Sequence, residues 1–318
     1  MISHKFVHSY SKVFAPASVS NVGPGFDVFG FAIDEVGDEV VAKPSSEPGV
    51  VIEIITGADN ISFNPEENTA GKAALSLLKQ LGISQGVKLE IHKKIPAGSG
   101  IGSSASSAVA AVFAVNALLE NPLPKSELIA AALDGEAIAS GGSIHGDNVL
   151  PALLGGFVII KDVEEKKYCH ISLPEYLHFV VLHPDIEIKT SYARSILPKK
   201  LPVKQIVSQV ANASYLVAGL LLGRNDLIKE GIFDFIAEPY RKGLIPGYDE
   251  VKKIALANGA LGFNISGSGP SVFAICDSLE KAKSLTPLLV APFEKLGMKV
   301  DRMITTVNNE GAKVLELR

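Results

Sequence analysis

Residues 95–107 have the sequence IPAGSGIGSSASS, and the chain continues through 108–119 without a charged residue. The glycines at 98, 100 and 102 remove side chains, so backbone N–H groups can close around an anion. The apolar stretch that follows predicts a buried helix, whose N-terminus adds partial positive charge. The serine hydroxyls of 103–107 can bind phosphate oxygens or a Mg²⁺ ion. The stretch therefore predicts a phosphate-binding loop, most naturally one for a nucleotide.

The familiar phosphate-binding motifs do not fit this loop. A P-loop requires Lys followed by Ser or Thr after its second glycine, and no lysine occurs between Lys94 and Lys125. The dinucleotide fingerprint GxGxxG fails at Ser103, where the third glycine is required. From the residues of the loop alone, a glycine-rich turn that opens an ordinary core helix remains an alternative.

Three ordered motifs favour the phosphate-binding interpretation. The segment PxxxGIGSSA closely resembles the second signature of the GHMP kinases, the superfamily of galactokinase and of the homoserine, mevalonate and phosphomevalonate kinases. The other two signatures occur in the right order, as APASVSNVGPGFDVFG at 15–30 and NISGSGPSVFA at 264–274. The first motif, together with HGDNV at 145–149, ARSILP at 193–198 and PYRKGLIPG at 239–247, is similar to the homoserine kinases in particular. The resemblance covers nearly the whole chain.

Composition is that of a globular protein with ample apolar content. The 318 residues include 30 basic and 34 acidic ones, for a net charge of −4, which does not favour a nucleic-acid or membrane-surface partner. Two cysteines cannot form a disulfide framework, and the N-terminus lacks the apolar core of a signal peptide. We expect a cytoplasmic protein whose longest apolar helices, 108–119 and 216–222, are too short to cross a bilayer.

Periodicity predicts an α+β protein with strands segregated into sheets that helices cover. Predicted strands are 13–15, 40–42, 50–55, 87–92, 155–160, 179–182, 271–276 and 299–306, and predicted helices are 68–81, 108–119, 125–140, 204–223, 248–258 and 279–295. The charged stretch 162–167 suggests a boundary between domains 1–164 and 165–318. The resemblance implies an ATP-binding N-terminal domain with a left-handed βαβ unit and a ferredoxin-like C-terminal domain, with the active site between them.

The resemblance also implies where ATP and Mg²⁺ bind. The loop that wraps the triphosphate comprises Ile95, Pro96, Ala97, Gly98, Ser99, Gly100, Ile101, Gly102, Ser103, Ser104 and Ala105. Asn68 matches a position near the adenine. Ser104 and Glu136 match the Mg²⁺ ligands, a sparse set that magnesium tolerates because it keeps waters and substrate phosphates. The alternative for Glu136 is a solvated residue on a helix surface.

The third motif places two glycines, Gly267 and Gly269, in a turn that enters a strand. By itself this is compatible with a tight hairpin connection. Beside the other two motifs, we interpret it as a loop of the second domain that braces the phosphate loop and closes the active site.

The resemblance implies an acceptor that is an amino acid with a terminal hydroxyl, and it provides candidate residues for both charged groups of that acceptor. Arg194 and Arg241 are the candidates for the α-carboxylate, since guanidinium binds carboxylates with two parallel hydrogen bonds. Asp27 suits the ammonium group, and His145 lines the pocket. Asn21 is a candidate to orient the hydroxyl.

The two candidate catalytic residues are Asn148 and Asp147, which we expect to lie near the hydroxyl of the substrate. Several superfamily members use an aspartate in this region as the base. Homoserine kinases are instead described with Asn148 polarising the hydroxyl and the phosphate taking the proton. Asp147 is then structural, and we favour this second interpretation.

The expected activity is ATP-dependent phosphorylation of the side-chain hydroxyl of L-homoserine, on the path to threonine. One alternative is another small-molecule kinase of the superfamily, acting on mevalonate or a sugar. A second alternative is a nucleotide-binding regulator without catalysis. Homodimers are common in the family, so a homodimer is the expected assembly.

Overall fold

The computed structural model of the chain describes residues 4–139 and 145–318, and within them the strands form two separate sheets. The strands of the seven-stranded sheet are β1 (Ser11–Ser20), β2 (Phe29–Ser45), β3 (Val50–Thr56), β4 (Gly86–His92), β5 (Phe157–Asp162), β6 (Lys167–Ile171) and β11 (Lys313–Leu317). The strands of the four-stranded sheet are β7 (His178–Pro184), β8 (Gly262–Ile265), β9 (Val272–Cys276) and β10 (Val300–Thr305). This segregation confirms the α+β prediction.

Helices accompany both sheets. The first sheet carries α1 (Thr69–Leu81), α2 (Ser103–Ala117), α3 (Lys125–Ala139) and α4 (Gly146–Leu154). The second half of the chain contains α5 (Thr190–Ser195), α6 (Val203–Leu222), α7 (Asn225–Gly231), α8 (Glu238–Arg241), α9 (Tyr248–Ala257) and α10 (Leu279–Lys295), with a 3₁₀ turn at Lys242–Leu244. Helix α2 is apolar on every side and is buried nearly throughout, packed between the sheet and its neighbouring helices.

The first sheet contains the expected βαβ unit. Its order is β11-β1-β2-β4-β3, with β5 paired to β2 and β6 to β5. The pair β3 and β4 is parallel, and α1 makes the crossover between them. Helix α1 begins at the cap Asn68 and ends at Gly82, whose φ of 64° is left-handed. The left-handed sense of the crossover stays a prediction from the resemblance.

The second sheet has the expected ferredoxin-like order. Its strands lie in the order β10-β7-β9-β8, and every pairing is antiparallel. Counted along the chain, that is fourth, first, third, second, with helices between the first and second strands and between the third and fourth. The prediction of a ferredoxin-like C-terminal unit is confirmed.

Sheet membership bears on the predicted domain boundary between 164 and 165. That position lies between β5 and β6, which pair with each other in the first sheet. The last strand, β11, returns to the same sheet and pairs with β1. The bounds 1–164 and 165–318 stay a prediction, and strand pairing favours a boundary after Ile171, with β11 assigned to the first unit.

Some predicted elements differ from the structure. The helix expected at 108–119 begins at Ser103, directly behind the phosphate loop, and the helix Gly146–Leu154 was not predicted. Helix α3 is described to Ala139, so its expected end at Ser140 lies outside the described residues. The expectation that the apolar helices are too short to cross a bilayer is wrong for Val203–Leu222, which is long and apolar enough by length and composition. Length and apolar composition alone do not establish a membrane span, because helices in the cores of globular proteins share both.

Candidate active site

A cavity of about 580 Å³ lies where the phosphate loop, α4, α5 and the third motif meet. The predicted site residues that line it are Asn21, Asp27, Asn68, Ala97, Gly98, Ser99, Gly100, Gly102, Ser103, Ser104, Glu136, His145, Asp147, Asn148, Arg194 and Arg241. Four predicted loop residues are not among the lining residues: Ile95, Ile101 and Ala105 are buried in the core, and Pro96 is exposed. Their predicted contact with ATP stays a prediction.

The phosphate loop depends on its glycines. Gly98, Gly100 and Gly102 have φ values of 70°, 79° and 70°, in the left-handed region that glycine occupies without strain. Gly102 caps the N-terminus of α2, and a Cβ there would lie 2.2 Å from the hydroxyl oxygen of Ser18. Glycine at 102 therefore lets the loop pack against the first motif at the N-terminus of α2, an end whose backbone N–H groups can bind an anion.

The third motif braces this loop, as the sequence predicted. The Ser266 hydroxyl donates to the carbonyl oxygen of Gly100 at 2.7 Å, and the backbone N–H of Ser271 donates to the carbonyl of Ser99 at 3.3 Å. The backbone N–H of Gly267 donates to the carbonyl of Ser20 in the first motif. All three signatures therefore meet around one loop.

Asn68 lines the cavity and also caps a helix. Its side-chain oxygen accepts from the backbone N–H groups of Ala70 and Gly71, and its amide donates to the carbonyl of Ser62. Asn68 thus caps α1 and holds the loop before it against the cavity.

Ser104 and Glu136, the predicted Mg²⁺ ligands, lie side by side. The Ser104 hydroxyl donates to Glu136 Oε1 at 2.9 Å, across from α2 to α3. Glu136 is 5% exposed, so its alternative interpretation as a solvated helix residue is wrong. Burial raises the pKa of Glu136 to about 7, against the opposing effects of the Ser104 hydrogen bond and of His145. A nearby cation would stabilise the ionised carboxylate, so the donor set fits a magnesium ion.

Asp27 and Arg194 form an ion pair in the part of the cavity that the first motif and α5 line, here called the acceptor end. Arg194 Nη2 lies 2.7 and 2.9 Å from the two carboxylate oxygens of Asp27, and it lies 3.2 Å from His145 Nδ1. Burial raises the pKa of Asp27, but the hydrogen bonds of His145 and Arg194 outweigh it and hold that pKa below its usual value. Both partners are more than a third exposed and reach the cavity.

Arg241 is the second guanidinium of this end and is buried, at 3% exposed. Its Nη1 donates to the carbonyl of Gly267 at 2.8 Å, and its Nε donates to the carbonyl of Ala193 at 3.1 Å. Burial lowers its pKa, and the charge of Arg194 adds to that effect. These two carbonyl groups fix the orientation of Arg241. Because Arg241 lines the cavity and has no carboxylate among these partners, its positive charge is available to a bound anion.

Phe26 organises the two arginines and was missed by the sequence analysis. The guanidinium carbons of Arg194 and Arg241 each lie 5.2 Å from the centre of its ring, within the range of a cation–π contact. The signal in the sequence was slight, because Phe26 precedes Asp27 in the first motif and no spacing connects it to either arginine.

The two candidate catalytic residues differ in their surroundings. The backbone N–H of Asn21 donates to Asp147 Oδ2 at 3.2 Å, and Asn21 Oδ1 accepts from the N–H of Asp27 at 2.8 Å. Asp147 thus holds the turn of the first motif, where Asn21 and Asp27 both have positive φ. Asn148 lines the cavity, and its Oδ1 accepts from the hydroxyl of the buried Ser18, a contact that was not predicted.

Asp147 is buried, and its pKa is raised above the usual value. Burial and the negative charge of Asp27 raise its pKa to about 6, while the charge of His145 opposes the rise. Asp27, His145 and Asp147 each place one polar atom within 4.8 Å of the others. The group is a compact acid–base cluster at the acceptor end.

Comparison with known proteins places this geometry in a family. The model of the GHMP kinases N terminal domain matches residues 68–156, and the model of the GHMP kinases C terminal domain matches residues 216–286. The chain is 42% identical over 314 residues to "Homoserine kinase" of Chloroherpeton thalassium, which covers 95% of this chain and 98% of that protein. The chain belongs to the homoserine kinase family. It is also 40% identical to "Homoserine kinase" of Xanthomonas campestris pv. campestris, over 96% of this chain and 94% of that protein.

Solved structures agree with this family and with the fold. The crystal structure of homoserine kinase from Cytophaga hutchinsonii matches with a TM-score of 0.93 at 44% identity, over 98% of this chain and 99% of that chain. The L. major mevalonate kinase in complex with R-mevalonate matches with a TM-score of 0.69 at 19% identity, over 95% of this chain and 98% of that chain. The second match shows the shared fold alone. The predicted GHMP kinase fold and superfamily are confirmed.

Proposed function

We propose that this chain transfers the terminal phosphoryl group of ATP to the side-chain hydroxyl of L-homoserine, giving O-phospho-L-homoserine and ADP in threonine biosynthesis. The observation that carries the proposal is the Asp27–Arg194 pair beside Arg241, in the same cavity as the phosphate loop. Family membership supports an ATP-dependent kinase of small molecules. The pair of opposite charges supports an amino acid as the acceptor.

At the nucleotide end, the phosphate loop would receive the triphosphate. Backbone N–H groups at the start of α2, behind the turn that Gly100 and Gly102 form, would donate to phosphate oxygens. Ser104 and Glu136 would hold Mg²⁺. Magnesium neutralises phosphate charge when bound, while the protein fixes the direction from which the hydroxyl approaches.

At the acceptor end, the amino acid would insert between charges that already face each other. Its α-carboxylate binds Arg241 and Arg194, and its ammonium binds Asp27, so the substrate replaces the internal ion pair with two of its own. Phe26 holds the two guanidinium groups in place. His145, 3.6 Å from Asp27, lines the same side.

Between the two ends, Asn148 would orient the hydroxyl, with its own side chain fixed by Ser18. The hydroxyl oxygen attacks the terminal phosphorus, the bond from that phosphorus to the bridging oxygen of ADP breaks, and the hydroxyl proton passes to a phosphoryl oxygen. Asp147 serves the turn of the first motif, through the N–H of Asn21, and is not the base. Its pKa of about 6 is the one property that would suit the rival role of general base, because a base with that pKa is ionised near neutral pH.

The acceptor-end charges also separate the proposal from its alternatives. A sugar has no carboxylate to bind Arg241, and mevalonate has no ammonium to bind Asp27. A regulator without catalysis would not need the buried Glu136 beside Ser104. An assay of ADP release with homoserine, serine, mevalonate and galactose tests the proposal, and preferred turnover of mevalonate or galactose would contradict it.

We also propose a homodimer, formed through α6. One face of this helix exposes Val203, Val207, Val210 and Leu221 at 75%, 62%, 61% and 60%, with no charge among 203, 207, 210, 214, 217 and 221. The steps of four and three residues are symmetric about residue 212, so two antiparallel copies would pair 203 with 221 and 210 with 214. Light scattering of the wild type should give twice the mass of one chain. The variant Val207→Glu, which places a charge on this face, should give the mass of a single chain. A monomeric wild type, or one that binds lipid vesicles through α6, would contradict this proposal.

A cytoplasmic location, without nucleic-acid or membrane partners, is proposed on similar grounds. The mildly acidic composition and the membership in a family of biosynthetic kinases support it.

A further inference from the structure

Two charged residues lie on the core face of adjacent strands. In β4, residues Val87, Leu89 and Ile91 face the core, and the two-residue period places Lys93 on the same face just beyond the strand. In β2, Val40 and Ala42 face the core, and Asp38 continues that face. Glu39 pairs with His92 in the register of the two strands, so the next step brings Asp38 opposite Lys93.

Asp38 ties the beginning of the phosphate loop to its helix. It is fully buried, and its Oδ1 accepts from the backbone N–H groups of Lys94 and Ile95 at 2.9 and 3.3 Å. Its Oδ2 accepts from the hydroxyl of Ser107, on α2, at 2.6 Å, and from Lys93 Nζ. One carboxylate therefore joins both ends of the loop.

Lys93 completes the connection from the other side. Its ammonium group donates to Asp38, to the carbonyl of Ser103 at 2.8 Å and to the hydroxyl of Ser107 at 2.8 Å. Ser103 is the first residue of α2, so this positive charge lies at the helix end that a phosphate would approach. Among the described residues that line the cavity, one is a lysine, Lys93, and two are arginines, Arg194 and Arg241. The two arginines belong to the acceptor end, which leaves Lys93 as the cation beside the phosphate loop.

We propose that Asp38 and Lys93 are positioning residues of the nucleotide site: their buried ion pair fixes both ends of the phosphate loop, and Lys93 supplies from beneath the loop a positive charge for the triphosphate. A P-loop carries such a lysine within the loop, but this chain has none between Lys94 and Lys125. The inference rests on the proposed use of ATP. It concerns the binding of nucleotide and is independent of which acceptor the enzyme phosphorylates.

The two partners should differ when they are removed singly. Loss of the ammonium leaves the Asp38 charge buried under the loop, where it repels a triphosphate. Loss of the carboxylate leaves Lys93, which still attracts the triphosphate. Both losses leave an unpaired buried charge and lower thermal stability. A purely structural pair would lower stability without this asymmetry in nucleotide affinity.

The test compares Lys93→Met, Asp38→Asn and the double variant, using equilibrium binding of ATP with Mg²⁺ and the melting temperature of the same samples. Lys93→Met should weaken ATP binding at least ten-fold more than Asp38→Asn does. The double variant buries no unpaired charge, so it should fold even where a single variant does not, and it should bind ATP at least ten-fold more weakly than wild type. KM for homoserine at saturating ATP should stay within about three-fold. Asp38→Glu, which keeps the carboxylate, should melt at a higher temperature than Asp38→Asn and bind ATP at least as tightly.

The control is Lys88→Met, which removes an exposed ion pair with Glu53 on β3 and β4, and it should leave ATP affinity unchanged. Wild-type turnover of homoserine shows separately whether the proposed function holds. A folded double variant with wild-type ATP affinity, or equal losses of affinity in the two single variants, would overturn the inference.

Discussion

Arg194 Nη2 lies 2.7 Å from Asp27 Oδ1 and 2.9 Å from Asp27 Oδ2, so one nitrogen of the guanidinium spans both carboxylate oxygens. The remaining donors of the guanidinium are not needed for that contact, and both side chains are more than a third exposed. Exposed pairs of this kind contribute little to stability, roughly 0–1 kcal/mol. A substrate that offers its own ammonium and carboxylate can therefore separate the pair at small cost.

Arg194→Lys should raise KM for homoserine about ten-fold and leave KM for ATP within about two-fold. Lysine keeps the charge but loses the planar pair of donors, a loss on the order of 1–3 kcal/mol for a bond to a charged group. Steady-state kinetics with each substrate varied in turn measure the effect. Arg224→Lys, which alters an exposed Arg–Asp pair on the surface, is the matched control and should change neither constant. Full homoserine affinity in Arg194→Lys would remove this arginine from the acceptor site.

Glu136→Gln should raise the Mg²⁺ concentration for half-maximal activity at least ten-fold. The amide keeps the hydrogen bond to Ser104 but removes the ionised oxygen that a cation requires. A second readout is the gain in melting temperature that Mg²⁺ and ADP give together, which should shrink in the variant. Glu127→Gln, exposed on the same helix, is the control. An unchanged Mg²⁺ requirement would make Glu136 a structural residue.

Asn148→Ala should lower kcat substantially, whereas Asp147→Asn should lower it by less than the roughly 10²–10⁴-fold typical of losing a general base. The asparagine at 147 can still accept from the N–H of Asn21, so the turn is kept. Rates at saturating substrates, with melting temperatures of both variants, make the comparison. A 10²-fold or larger loss in a stable Asp147→Asn variant that still binds homoserine would identify Asp147 as the base.

Stability should depend on pH through Asp147. Burial and the charge of Asp27 raise its folded pKa to about 6 from the ordinary value of 3.8, so between those values the folded state binds more protons than the unfolded state. The contribution of Asp147 to the free energy of unfolding therefore falls as pH rises through this window. Above pH 6 the protein bears the full cost of burying the ionised carboxylate. Asp147→Asn should raise the free energy of unfolding at pH 8, by on the order of 1–3 kcal/mol, and change it little at pH 4. Denaturant unfolding at both pH values, with the exposed Asp59→Asn as control, measures this. An equal change at both pH values would contradict it.

The phosphate loop could be predicted from the sequence because its signal is local. Gly98, Gly100 and Gly102 serve backbone conformations that no other residue adopts as easily, and the apolar run behind them can only be a buried helix. The ends of α10 were also predicted as they are, since its apolar spacing and its cap at Ser278 are both local.

The acceptor end was harder to predict, because its contacts join distant parts of the chain. Asp27 and Arg194 are 167 residues apart, and their pairing depends on how the second half of the chain docks on the first. The short helix α4 was missed because Pro151 interrupts its periodicity. Asp38 and Lys93 did leave a signal in the sequence, because each continues the alternation of core-facing residues in its strand. Only the register of β2 against β4 shows that the two residues lie opposite each other.

The most direct test of the account is the acceptor preference of the purified chain, measured as kcat/KM from coupled ADP release. Homoserine should exceed mevalonate and every hexose by at least about ten-fold, because it alone fills both the Asp27 and the arginine positions, and an unpaired buried polar group costs roughly 1–3 kcal/mol. Equal or greater kcat/KM for mevalonate or galactose would contradict the assignment of this site to an amino acid.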